Sequence, residues 1–145
     1  MRITAALRNT AATHAVEVRT GASAQALAVA PRAAGRGSSV NGGEFLMLAL
    51  ATCYCNDLYR EAAARGLVLA GVEVEASAEF AGIGLAASDI RYRARVDSPE
   101  PAERIEALLR DTDAVAEIHN TVRAGGAVVR EAWPGAGVGA LRAGN

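Results

Sequence analysis

Two cysteines, Cys53 and Cys55, are the residues of this sequence best suited to covalent chemistry. They lie in the stretch 41–66, which is apolar from Phe45 to Tyr54 and turns charged from Asn56 onward. A thiol at the point where a buried segment emerges into solvent can ionise, and the thiolate is a nucleophile. This placement indicates redox or nucleophilic chemistry. The alternative is that each cysteine serves as a small buried hydrophobe.

The element that would carry both thiols is a single long helix over residues 44–65. It is apolar on every side in its first half, which is typical of a helix buried all round, and it stops before Gly66. Side chains two positions apart on a helix point about 200° away from each other. Cys53 and Cys55 therefore cannot form a disulfide while the helix is intact, and their spacing fits no zinc-binding cysteine pair. Both thiols are expected to be free, on opposite faces.

Charged residues share the helix face of Cys53. Asp57, Arg60 and Glu61 follow it at spacings of four, seven and eight residues. Arg60 can pair with Asp57 across one turn. The cluster is either a solvated helix end or the acidic and basic lining of a pocket closed by Cys53.

A histidine far along the chain is a further candidate. His119 is either a helix-surface or interface histidine with one hydrogen bond, or a base that activates the thiol. A third reading places it with Cys53 and Asp57 in a metal site, although no metal or cofactor is expected overall. Further candidates for hydrogen bonding or packing at the pocket are Tyr54, Cys55, Asn56 and Asn120.

The strands and helices around the central helix are predicted from the spacing of apolar and charged residues. Apolar residues alternate with charged ones over 67–80 and 89–96, which predicts a strand pair whose glutamates and arginines face each other. A hairpin is predicted over 14–30, and residues 1–7 are compatible with a short edge strand. After the strand pair, Ser98 is expected to cap a helix over 99–110.

A second short helix over 114–123 and a last strand over 127–133 complete the order β-β-α-β-β-α-α-β. This order indicates an α+β fold with helices packed on an antiparallel sheet. The apolar faces of the two later helices are predicted to be Ile105, Leu108 and Leu109, and Val115, Ile118 and Val122. We expect one domain, made of 1–43 (hairpin and loop), 44–65 (central helix) and 67–134, with a flexible tail at 135–145.

Composition excludes several classes of partner. The 145 residues are 51% hydrophobic and 21% charged, which is ordinary for a globular protein. A formal net charge of -1 argues against nucleic acid or an anionic membrane as the main partner. The first ten residues lack the continuous apolar segment of a secretory signal, and no apolar run is long enough to span a membrane. We therefore expect a cytoplasmic protein.

The stretch Asn41-Gly-Gly-Glu-Phe-Leu-Met-Leu-Ala-Leu-Ala-Thr-Cys53 resembles the central-helix motif of the OsmC/Ohr (organic hydroperoxide resistance) superfamily. The order of elements is also similar to that family along most of the chain. The resemblance implies an intertwined homodimer with active sites at the subunit interface. It implies a peroxidatic cysteine at Cys53 that reduces organic hydroperoxides with an external thiol or dithiol. The activating arginine and glutamate would be Arg19, or alternatively Arg36, and Glu44.

The sequence departs from the family motif at two places. Gly42 and Gly43 stand where the family has a proline and a first glutamate, so that only Glu44 remains. Ala116 and Glu117 stand where the family has the resolving cysteine and a proline. The resemblance therefore predicts either a one-cysteine peroxidase or an OsmC-fold protein that binds a small ligand or metal at the interface pocket.

Overall fold

The computed structural model describes residues 1–134 as two compact units. The first contains Met1–Gly42 and the segment from Val129, and the second contains Gly43–Val128. The predicted tail at 135–145 lies outside the described residues. None of the described helices is both long and apolar enough to cross a bilayer.

The first unit is built on a three-stranded antiparallel sheet in the order β1-β2-β3, with bounds Ile3–Asn9, His14–Thr20 and Ser23–Leu27. The predicted hairpin is thus present, and the segment at the N-terminus pairs with it as a full strand. Gly21, with a φ of +58°, supplies the left-handed backbone that the tight turn between β2 and β3 requires. The loop that follows bends back, because the N–H of Gly37 donates to the side-chain oxygen of Asn9 over 3.1 Å.

Helix α1 spans Gly42–Ala64 and, apart from its first residue, lies in the second unit. Its end was correctly predicted from Gly66. Gly66 has a φ of +64°, its N–H donates to the carbonyl of Ala63, and the N–H of Leu67 donates to that of Ala62. This paired bonding is the Schellman arrangement, which satisfies the last carbonyls of a helix. Leu67, the next residue, then turns its side chain into the core.

The predicted strand pair forms β4 (Gly71–Glu79) and β5 (Ser88–Asp97). Glu73 lies opposite Arg95 and Glu75 opposite Arg93, and both pairs form salt bridges as expected. The opposite face of the hairpin is apolar and packs against α1 and helix α2, Ala102–Val115. The central residues of this core are Tyr54, Leu58, Ala62, Leu67, Leu108 and Ala116.

The helix boundaries after β5 differ from the prediction. Helix α2 starts at Ala102, after Pro101, and continues through 111–113, where a break was expected. Asp111 and Asp113 are accommodated within the helix because they reach outward to Arg65 and Arg123. Thr112, between them, is fully buried. Ser98 does not cap the helix: its hydroxyl donates to the carbonyl of Val68 and accepts the N–H of Glu100.

Helix α3, Glu117–Ala124, begins three residues later than predicted, after the extended and fully buried Ala116. The predicted apolar face is wrong in part, since Val115 is 45% exposed and Ile118 37% exposed. His119 is instead the buried residue of α3. The strand expected over 127–133 is not formed: these described residues belong to neither of the two sheets.

Candidate active site

Cys53 lies on α1 with its thiol facing a carboxylate one turn further along the same helix. Its Sγ donates a hydrogen bond to Oδ2 of Asp57 over 3.4 Å. Cys53 is partly exposed, whereas Asp57 is 3% exposed. The i,i+4 spacing on the regular helix is what brings these side chains together. The structure thus confirms the shared face predicted from the sequence.

The second wall of the site is the start of α3. Oε2 of Glu117 lies 4.0 Å from the Cys53 Sγ. The backbone N–H of Ile118, in the first turn of the same helix, hydrogen bonds to the thiol. The extended backbone at Ala116 separates α2 from α3 and turns this first turn toward α1.

Arg60 joins the two carboxylates from the outer side. Its Nη1 lies 2.5 Å from Oδ1 of Asp57 and 3.8 Å from Oε1 of Glu117. Its Nε also pairs with Glu61 over 3.3 Å. The guanidinium therefore binds the carboxylate oxygens that face away from Cys53, and leaves the other oxygen of each carboxylate directed at the sulfur.

The electrostatic environment favours the protonated thiol. Burial raises the pKa of Cys53, the hydrogen bond from the Ile118 N–H lowers it, and the charges of Asp57 and Glu117 raise it further, so that the net direction is upward from 9.0. Anions close to a thiol disfavour the thiolate. At neutral pH the protonated thiol therefore predominates, and a nearby acceptor for its proton would assist a reaction at this sulfur.

Tyr54, the residue after Cys53 in α1, forms an aromatic cluster with Tyr92 and His119. The two tyrosine ring centroids are 4.8 Å apart, and the His119 ring lies 4.4 Å from Tyr92 and 5.6 Å from Tyr54. The Tyr54 hydroxyl donates to the carbonyl of Leu109 over 2.6 Å, and burial raises the pKa of Tyr54 to about 12. Both observations indicate that Tyr54 acts as a neutral structural donor.

The far side of this cluster ends in an ion pair. Tyr92 donates a short hydrogen bond to Asp113, and Arg123 pairs with the same carboxylate over 2.6 Å. Burial opposes ionisation of Asp113, yet the hydrogen bonds from Tyr92 and Arg123 bring its pKa below 3.8. This ion pair fixes the orientation of the Tyr92 ring against His119.

His119 is 4% exposed, and neither of its ring nitrogens has a hydrogen-bond partner among the described residues. Burial lowers its pKa below 6.5, as does the charge of Arg123, while Asp113 and Asp57 act in the opposite direction. The imidazole is therefore neutral at pH 7. The prediction of an exposed or singly hydrogen-bonded histidine does not describe this environment.

The remaining sequence candidates divide between the two units. In the second unit, Asn56 is exposed, and Asn120 donates to the carbonyl of Ala114 and accepts from Arg123, which stabilises the α2–α3 junction. Cys55 is free, as expected, and half-buried. Glu44 lies exposed in the first turn of α1.

The candidate arginines lie in the first unit. Arg19, on β2, pairs with Glu17 over 2.5 Å. Arg36 is exposed in the loop after β3. Activation of Cys53 by either arginine stays a prediction.

Sequence reasoning missed Glu117 as a neighbour of the thiol. The signal was its position, directly after the residue that replaces the resolving cysteine in the resembled motif.

The family model described as OsmC-like protein matches residues 35–131, which include α1, the β4–β5 hairpin, α2 and α3. The chain belongs to the OsmC-like protein family.

Solved structures of this family share the fold. An OsmC-like protein from Mycoplasma pneumoniae matches with a TM-score of 0.57 and 18% identity, covering 84% of this chain and 86% of the other. An organic hydroperoxide resistance protein from Legionella pneumophila matches with a TM-score of 0.54 and 18% identity, covering 83% of this chain and 89% of the other. No curated protein matches the sequence. The α+β OsmC-like fold predicted from the central-helix motif is thus confirmed.

Proposed function

We propose that this protein is a one-cysteine thiol peroxidase that reduces organic hydroperoxides. The observation that carries the proposal is the hydrogen bond from the Cys53 thiol to the buried carboxylate of Asp57. Membership of the OsmC-like family and the similarity to a hydroperoxide resistance protein support the reaction class. Because Ala116 stands where the family has its resolving cysteine, the sulfenic acid formed on Cys53 would be reduced by an external thiol.

In the first step, Asp57 accepts the thiol proton while Sγ attacks one oxygen of the hydroperoxide. The S–O bond forms as the O–O bond breaks, and the leaving alkoxide takes the proton back from Asp57 to become an alcohol. Sulfur is oxidised to the sulfenic acid and the peroxide is reduced. A base within hydrogen-bond reach is needed because the pKa of the thiol is raised.

In the second step, an external dithiol attacks the sulfenic sulfur, water leaves, and a mixed disulfide forms. The second thiol of the reductant then displaces Cys53 and restores it. Cys55 takes no part, because its position two residues further on the helix directs it to another face. The partners of the reaction are therefore a small hydroperoxide and a dithiol.

The assembly we propose is a homodimer that covers the first half of α1. Leu48 is 58% exposed although it lies in the most apolar part of the helix. A helix apolar on all sides is stable when both of its faces are buried. A second copy of the chain would supply that cover.

The test compares the wild type with Cys53→Ser and the matched control Cys55→Ser. Organic hydroperoxide consumption is measured with a dithiol, and the sulfenic acid is trapped with a dimedone-type reagent and located by mass spectrometry. We expect turnover and trapping in the wild type and in Cys55→Ser, and neither in Cys53→Ser. Equal consumption by wild type and Cys53→Ser would overturn the proposal.

A further inference from the structure

Arg60 contacts three carboxylates around the thiol, and the closest of them is the one that accepts from Cys53. Its Nη1 lies 2.5 Å from Oδ1 of Asp57 and 3.8 Å from Oε1 of Glu117, and its Nε lies 3.3 Å from Oε1 of Glu61. The Asp57 side chain is 5% exposed, whereas that of Glu117 is 68% exposed. Water screens an ion pair with a buried partner less than an ion pair between exposed side chains. The contact with Asp57 is therefore the strongest of the three.

The carboxylate of Asp57 accepts a hydrogen bond at each of its oxygens. Oδ1 accepts from Arg60, three residues further along α1, and Oδ2 accepts from the Cys53 thiol, four residues before it. Two donors on different oxygens fix the plane of a carboxylate, because rotating the group breaks one of the two bonds. The thiol is neutral when it donates, so that the guanidinium is the partner that balances the negative charge.

The burial of Asp57 makes this balance necessary. A carboxylate buried without a cation is strongly disfavoured in its charged form. It binds a proton or turns toward solvent, and in both cases its negative charge no longer acts on the neighbouring thiol. A carboxylate in either state also cannot accept the thiol proton. The state of Asp57 that faces Cys53 therefore depends on Arg60.

We propose that Arg60 is a positioning residue, which keeps the Asp57 carboxylate charged and directed at the Cys53 thiol. Its consequence for peroxide reduction rests on the proposed function, in which Asp57 accepts the thiol proton. The effect on the thiol is opposite to that of an ordinary neighbouring cation. A cation usually favours the thiolate, whereas removal of Arg60 would release the thiol from the negative charge of Asp57.

The test uses Arg60→Met and Arg60→Lys, with Arg65→Met as the matched control and Cys55→Ser as the background. The Arg60 side chain is 49% exposed, so that both of its variants are expected to fold, which circular dichroism checks. Arg65 pairs with Glu61 over 3.7 Å and with Asp111 over 3.0 Å. Its replacement removes the same charge from the same region and leaves the ion pair beside the thiol in place.

The first readout is alkylation of Cys53 by iodoacetamide at pH 7, which does not depend on turnover. Arg60→Met should react about three- to tenfold faster than the wild type, because each fall of one in the pKa of a thiol raises its thiolate population about tenfold. Arg65→Met should react at the wild-type rate. Arg60→Lys should also stay close to the wild type, since a single nitrogen contacts Asp57 and an ammonium can replace it. Slower alkylation of Arg60→Met would overturn the proposal, because it would show a cation acting directly on the thiolate.

The second readout repeats the alkylation in an Asp57→Asn protein. A residue that acts only through another has no effect once the other is removed. Arg60→Met should therefore change the rate in this background by less than about twofold, the usual scatter of such comparisons. A full effect of Arg60→Met without Asp57 would indicate a structural role and overturn the proposal.

The third readout is sulfenic acid formation with an organic hydroperoxide. It should fall by at least about tenfold in Arg60→Met, since acid–base catalysis by one side chain contributes about 10²- to 10⁴-fold. An unchanged rate in Arg60→Met beside an active wild type would overturn the proposal. If the wild type forms no sulfenic acid while both alkylation results hold, the proposed peroxidase activity is wrong and the positioning of Asp57 by Arg60 stands.

Discussion

The thiol of Cys53 and the carboxylate of Asp57 are joined by a hydrogen bond of 3.4 Å across one turn of α1. Two opposite effects follow from this relationship. The charge of Asp57 disfavours the thiolate, yet its oxygen is placed to accept the proton when sulfur attacks. The reactivity of this sulfur toward peroxide therefore depends on proton transfer as well as on the population of thiolate.

The first prediction separates these two effects with Asp57→Asn in a Cys55→Ser background. Removing the charge lowers the pKa of Cys53, because Asp57 raises it both through the hydrogen bond and through its charge. Alkylation by iodoacetamide, which needs only the thiolate, should therefore speed up at neutral pH. Peroxide reduction should slow, since the alkoxide loses its proton donor.

Glu117→Gln is the matched control for that experiment. It also removes a negative charge that raises the pKa of Cys53, so that alkylation should again be faster. Peroxide reduction should not slow, because Asp57 is still present. If Asp57→Asn accelerates both reactions, the proposed proton transfer is wrong.

The second prediction concerns stability in mild acid. The pKa of His119 is lowered in the folded protein relative to 6.5. Above pH 6.5 the histidine is neutral in both states and does not contribute to the pH dependence. As the pH falls below 6.5, the unfolded chain binds the proton first, and the free energy of unfolding decreases until the folded pKa is passed.

Urea denaturation between pH 7 and about pH 5 measures this loss, because most carboxyl groups titrate below that range. In His119→Phe the decrease over the same range should be smaller. A decrease of the same size in both proteins would show that another group is responsible.

The third prediction tests the homodimer through Leu48. Replacing this exposed side chain by glutamate places a charge on the apolar half of α1, where we propose that a second copy packs. We expect the wild type to elute from size-exclusion chromatography as a dimer and Leu48→Glu as a monomer. Ala63→Glu, on the exposed and charged half of the same helix, is the control and should remain dimeric. A wild-type monomer at micromolar concentration would contradict the assembly.

The fourth prediction tests the core between α1, α2 and the hairpin. Leu108 has no exposed surface and belongs to the central cluster. Leu108→Ala should reduce the free energy of unfolding by about 2 to 5 kcal/mol, through lost burial and the cavity that remains. Val68→Ala removes a side chain that is 59% exposed and should change the stability by less than about 0.5 kcal/mol. Chemical denaturation of both variants provides the comparison.

Much of the fold could be predicted because its signals are local and periodic. The apolar run with Gly66 after it specifies α1, and the strict alternation over residues 72–80 specifies a strand with one buried face. The facing charges of Glu73 and Arg95 follow from the same alternation. The strand expected at 127–133 was wrongly predicted. A strand forms only when another strand pairs with it, and the local sequence does not specify that partner.

The candidate site divides in the same way. The sequence by itself determined that Cys53, Asp57 and Arg60 share one face of a helix, because helical spacing depends only on residue number. Only the tertiary structure decided that Glu117, 64 residues further along the chain, reaches the same sulfur, and that His119 is buried beside two tyrosines. Those positions depend on where α2 ends and α3 begins. The local helix signals predict other boundaries, and the burial of Ala116 and Thr112 in the folded protein determines the observed ones.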